Sequence, residues 1–90
     1  MTSRTIAALV RAHIMETRPP EKRGLEFGDA SSLVSSGILD SVGVFTLVAF
    51  LEQRFGIEVA DEELQWKYFE SVDAITRLVQ SKRVGARGRT

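Results

Sequence analysis

Residues 41–56 read SVGVFTLVAFLEQRFG. At about 100° per residue, Val44, Leu47, Val48, Leu51 and Phe55 fall within one narrow arc, and Gly56 stands where a helix stops. The stretch predicts an amphipathic helix that begins at Ser41, and it is the strongest helical signal in the chain. If Leu47 and Leu51 lie on the buried face, truncating either to Ala costs ~2–5 kcal/mol.

Upstream, from Arg18 to Asp40, periodicity gives way to Gly, Ser, Pro and charge, with Leu25, Phe27, Leu33, Ile38 and Leu39 as isolated apolar anchors. A connection this long is functional, disordered or hides a further element, and the anchors argue against disorder. Before it, Ile6, Leu9, Val10, His13 and Ile14 recur at helical spacing behind the possible caps Thr2 and Ser3. Pro19 and Pro20 forbid continuation, which places a first helix at about residues 3–17.

Downstream, IEVADEEL is a short connector in which Asp61, Glu62 and Glu63 suit the positive end of a short third helix. WKYFE adds aromatic bulk to it. Ser71 caps a last helix in which Val72, Ile75, Leu78 and Val79 repeat at helical spacing to about Lys82. The tail RVGARGRT has no apolar period and is expected to be mobile. GIEVA is the one short strand candidate. The chain therefore reads as all-α: a small four-helix bundle of three long helices and one short third helix, with a long loop between the first two. Residues 1–83 form the domain, and 84–90 a flexible basic tail.

Ninety residues hold one modest core. Twelve basic and twelve acidic residues cancel, so no global field draws the chain to nucleic acid or an anionic membrane. Lys82, Arg83, Arg87 and Arg89 lack the interleaved aromatics of a nucleic-acid surface. The absence of cysteine removes disulfides, thiolate catalysis and cysteine metal sites. No apolar run approaches the ~20 residues of a membrane span, and no signal peptide is evident. A cytoplasmic monomer is expected.

Asp40-Ser41 sits where the long loop meets the best helix. Both side chains accept hydrogen bonds from first-turn N–H groups, so the pair has a plain structural use as a cap. The same position carries partial positive charge and free donors, which suits a phosphate joined to the serine. Val42, Phe45 and Ala49 lie beside the hydroxyl but off the core arc. They form an apolar patch that either packs under the loop or serves as a docking surface.

With these residues in view, GILDSVGVFTLVAFLEQRFGIEVADEEL followed by YFESVDAITRLV resembles the acyl carrier protein family, including its peptidyl and D-alanyl carrier relatives. The likeness covers roughly residues 33–80. It rests on Gly37 three positions before Asp40, an apolar residue after Ser41, Leu47 and Leu51 on one face, Phe55-Gly56-Ile57, and the order of the downstream motifs. The resemblance implies a 4′-phosphopantetheine arm on Ser41, with Asp40 as the motif acid that helps deliver it. It also implies a cargo held as a thioester and partners comprising a phosphopantetheinyl transferase, a ligase that charges the arm and a downstream acyl-transfer enzyme. The chain itself would not be an enzyme.

One departure stands out. The family's housekeeping members have a strongly acidic second helix, whereas this one reads Gly43, Val44, Phe45 and Thr46 before Glu52, Gln53 and Arg54. A specialised freestanding carrier follows, and Ile38-Leu39-Asp40-Ser41 looks more like carriers loaded by an AMP-forming acyl or aminoacyl ligase. Long acyl cargo would need internal space that Phe45, Phe50 and Phe55 fill or that Val44 and Val48 line.

The rival is an unmodified helical interaction module that binds through Val42, Phe45 and Ala49 and uses Asp40-Ser41 only as a cap. His13 lacks a second ligand at metal spacing, and no Gly-x-Ser-x-Gly elbow supports a hydrolase. Trp66, Tyr68 and Phe69 read as packing, with exposure of Trp66 as the sign of a further contact. Asp61, Glu62 and Glu63 read as a solvated first turn and not as a metal site.

Overall fold

A computed structural model describes residues 2–24 and 26–87. Leu25, expected as a loop anchor, and residues 88–90 of the expected tail lie outside them. Three α-helices enclose the core: α1 (Ser3–Thr17), α2 (Ser41–Phe55) and α3 (Val72–Arg87).

Each helix begins and ends for a local reason. Thr2 Oγ1 accepts the Thr5 N–H at 3.2 Å to open α1, and Arg18 turns extended as a residue before proline must. Gly56 closes α2 in the left-handed conformation, φ 66°, its N–H bonded to the Glu52 carbonyl. Ser71, itself buried, accepts the Ala74 N–H at 3.1 Å to open α3. The last helix passes Lys82, its expected end, and reaches Arg87.

The predicted faces point inward. Ile6, Val10 and Ile14 of α1 meet Val72, Ile75, Leu78 and Val79 of α3, and Val44, Leu47, Leu51 and Phe55 of α2 complete one continuous core. The α1–α3 pairing is the most extensive, with α2 laid against both.

The short third helix is not formed, so among the described residues the bundle has three α-helices and not four. In its place stand two separate 3₁₀ turns, Asp61–Glu63 and Trp66–Tyr68. Between them Leu64 (ψ 64°) and Gln65 (φ −124°, ψ 144°) leave helical space, and the N–H groups of Glu63, Leu64, Tyr68 and Phe69 bond three residues back. A segment this short does not recover the cost of nucleating a helix. The break instead lets Leu64 pack against the core and sinks Phe69 into it.

The long loop is ordered by pins from other elements. Phe27, Leu33, Ile38 and Leu39 are buried. The Arg11 guanidinium donates two N–H groups to the Phe27 carbonyl and lies 4.7 Å above the Phe27 ring. The Leu33 N–H bonds the Glu70 carbonyl at 2.8 Å and the Asp73 N–H bonds the Asp29 carbonyl at 2.9 Å, tying the loop to the start of α3. One additional 3₁₀ turn, Pro20–Lys22, follows α1.

Candidate functional site

The start of α2 is built from both sides of Asp40. Ile38 and Leu39 plug into the core, and the Leu39 N–H bonds the Leu33 carbonyl at 2.9 Å. Asp40 is then extended (φ −109°, ψ −174°) and is the N-cap. Its Oδ1 accepts the Gly43 N–H at 2.7 Å, and its carbonyl accepts the Val44 N–H at 2.8 Å. Gly43 makes room for this short bond: a Cβ there would stand 3.2 Å from Asp40 Oδ1 and 3.2 Å from Leu39 Cδ1.

Capping therefore falls to Asp40, and Ser41 is the first helical residue. Its side chain is exposed and makes no hydrogen bond among the described residues. The backbone N–H groups of Ser41 and Val42 are likewise without a partner there. An uncommitted hydroxyl stands beside two free donors at the positive end of a 15-residue helix.

The expected patch is open to solvent: Val42 is 73% and Phe45 64% exposed, and Ala49 is exposed too. The loop does not cover it, because the pins described above hold the loop against α1 and α3. Phe45 also forms one wall of a cleft of about 150 Å³, lined by Ser41, Val44, Phe45, Leu64, Gln65, Trp66 and Phe69. Val42 and Ala49 stand outside it. Trp66 is 49% exposed. Leu64 and Gln65 carried no local signal for this site; the two 3₁₀ turns bring them to Ser41 from more than twenty residues away.

The other titratable residues of interest lie elsewhere. His13 stacks on Phe50 with ring centroids 4.3 Å apart, and its Nε2 is buried without a partner. Burial holds its pKa below the ordinary value, with Glu16 opposing. Glu63 accepts from Lys82 Nζ at 2.7 Å and from the Ala60 N–H at 2.9 Å, and those bonds, the Lys82 one foremost, hold its carboxyl below the usual range.

A profile of the phosphopantetheine attachment site family matches residues 21–79. The chain belongs to that family. Its members are carriers and not catalysts, and they bear 4′-phosphopantetheine covalently on a serine. They work with transferases and acyl-handling enzymes. The first turn of α2 fits such a group, because a free hydroxyl, two unpaired N–H donors and an apolar cleft meet there. The chain is also 30% identical over 66 residues to a 4-hydroxy-3-methylbut-2-enyl diphosphate reductase from Pelodictyon phaeoclathratiforme (strain DSM 5477 / BU-1). That match takes in 73% of this chain and 21% of the reductase, so this chain spans about a fifth of that relative's length. Among the described residues, no helix is long and apolar enough to cross a membrane.

Proposed function

We propose that Ser41 is the attachment serine and that this carrier presents an acyl or aminoacyl thioester to partner enzymes of a specialised cytoplasmic pathway. The observation that carries the assignment is the uncommitted Ser41 hydroxyl on the first turn of α2, directly after the Asp40 cap and at the mouth of the cleft. In loading from coenzyme A, Ser41 Oγ forms the new O–P bond as the phosphoanhydride bond breaks. Adenosine 3′,5′-bisphosphate departs, and the hydroxyl proton passes to the transferase.

This chain's residues supply the acceptor and its setting. Asp40 fixes the helix start so that the hydroxyl projects into solvent, and the N–H groups of Ser41 and Val42 meet the phosphate. When bound, the arm supplies a thiol that holds cargo as a thioester at high effective concentration for each docked enzyme. Val42, Phe45 and Ala49 form the docking surface. Their apolar, uncharged character supports a dedicated partner set, including an AMP-forming ligase, over enzymes recruited by an acidic helix.

The test is intact-protein mass spectrometry after incubation with coenzyme A and a promiscuous phosphopantetheinyl transferase, with Ser41→Ala alongside. A gain of one phosphopantetheinyl group on the wild type alone is expected. No gain, with the transferase active on a control carrier, would leave Asp40-Ser41 as a helix start and favour the unmodified interaction module. Phe45→Ala is expected to slow charging by the cognate ligase more than it weakens the fold; equal rates would remove the docking role.

A further inference from the structure

The chain has three lysines, Lys22, Lys67 and Lys82, and two of their amino groups are engaged. Lys82 Nζ donates to Glu63 at 2.7 Å, and Lys67 Nζ lies 5.1 Å from the centre of the Tyr68 ring. Lys22 Nζ has no hydrogen bond, ion pair or aromatic face among the described residues, yet packing fixes its place. A Cβ on Gly37 would stand 3.1 Å from Lys22 Cε and 3.2 Å from its Nζ. Gly37 (φ 79°) thus serves the turn before α2 and leaves the hollow over which Lys22 lies.

That hollow is a short way upstream of Ser41 in the chain. The four residues from Gly37 to Ser41 span at most ~14 Å, which holds Lys22 Nζ within about 19 Å of the Ser41 Cα. At ordinary bond lengths an extended phosphopantetheine arm reaches roughly 17 Å from the serine oxygen to its sulfur. A thioester carried on the arm therefore comes within reach of the amine. Tethering makes the encounter intramolecular, at an effective concentration on the order of millimolar.

We infer that Lys22 is an internal modification site, whose amine takes short acyl cargo from the arm as a stable amide. The inference rests on Ser41 as the attachment point and on cargo held as a thioester. The ammonium first gives one proton to solvent, and the free amine attacks the thioester carbonyl. The C–N bond forms and the C–S bond breaks; the departing sulfur takes a second nitrogen proton, so the arm ends as a free thiol. No oxidant, reductant or further reactant is needed. The transfer removes the charge of Lys22 and clears the arm of cargo that no partner enzyme has collected.

Loading from acetyl-coenzyme A with a promiscuous transferase installs an arm that is already acetylated, and intact mass verifies it. The protein is freed of excess acetyl-coenzyme A and held at mildly alkaline pH, where more of the amine is free base. Hydroxylamine then strips the remaining thioester, and peptide mass mapping locates the acetyl groups that resist it. Lys22 is expected to carry about tenfold or more the acetylation of Lys82, at a first-order rate unchanged by dilution. Ser41→Ala, held with the same acetyl-coenzyme A, is expected to show no preference for Lys22. Equal acetylation of the three lysines, a rate that rises with protein concentration, or complete loss of the thioester with Lys22 unmodified would each overturn the inference and leave the carrier assignment intact. The same preference for Lys22 in Ser41→Ala would also overturn it, by tracing the acetyl group to free acetyl-coenzyme A. Absence of loading would instead overturn the attachment on which the inference rests.

Discussion

Replacing Asp40 by Ala and by Asn separates the two uses of that residue. The Ala variant leaves the Gly43 N–H without the acceptor it has at 2.7 Å, a lost cap of ~1 kcal/mol. It also removes a negative charge from the positive end of α2, worth a further ~0.3–1 kcal/mol. The sum is about 1.5 kcal/mol, and at ~4–8 °C per kcal/mol for a domain of this size Tm falls by about 6–12 °C. Asn keeps the acceptor and loses only the charge, so it should cost ~0.3–1 kcal/mol.

Urea and thermal unfolding followed by far-UV circular dichroism, with an unchanged m value, measure both. Rates of transfer from coenzyme A follow on the same proteins. If Asn is nearly as stable as wild type yet loads slowly, the carboxylate acts on the transferase and not through the helix. The reasoning fails if Asp40→Ala stays within the ~0.5 kcal/mol scatter of ordinary surface changes, or if Asn destabilises as much as Ala.

Other variants probe the rest of the framework. Ser41→Ala should leave stability within ~0.5 kcal/mol of wild type, since its hydroxyl bonds nothing, as denaturant melts will check. Burial lowers the pKa of His13 below its unfolded value near 6.5, so the unfolded chain binds more protons in that window. Stability should hold above 6.5 and fall as pH drops toward the folded value, and His13→Phe should flatten that slope in melts between pH 7.5 and 5.5. Glu63 is lowered from 4.5, so its contribution is present above 4.5 and lost as pH falls through its folded pKa; Glu63→Gln should remove this acid limb and part of the salt dependence. Phe69→Ala, emptying a fully buried site, should cost ~3–5 kcal/mol in equilibrium unfolding.

The helices were legible wherever periodicity and punctuation agreed. Thr2, Pro19, Asp40, Gly56 and Ser71 mark boundaries by chemistry that acts within one turn, and α1 and α2 match their expected limits. The third helix was not legible. Asp61, Glu62 and Glu63 suit a helix start, but what decides the segment is the distant demand of the core for Leu64 and Phe69, which propensity does not record. The loop's order was half visible: its apolar anchors were, while the Arg11 fork on the Phe27 carbonyl depends on a neighbour sixteen residues away. At the site, Asp40, Ser41 and the exposed patch followed from the helix they begin. The meeting of Ser41 with Leu64, Gln65 and Trp66 is tertiary, and nothing short-range announces it.

The pinned loop has a mechanical consequence. Ser41 is preceded by Ile38 and Leu39, locked in the core, and by a Leu33 hydrogen-bonded to Glu70, so the proposed attachment point is a fixed fulcrum. Reach would then come chiefly from the tether. With Ser41 as the attachment point, every partner enzyme would face the same gauge: the distance from its docking face to its reactive centre could be no longer than the reach of one arm.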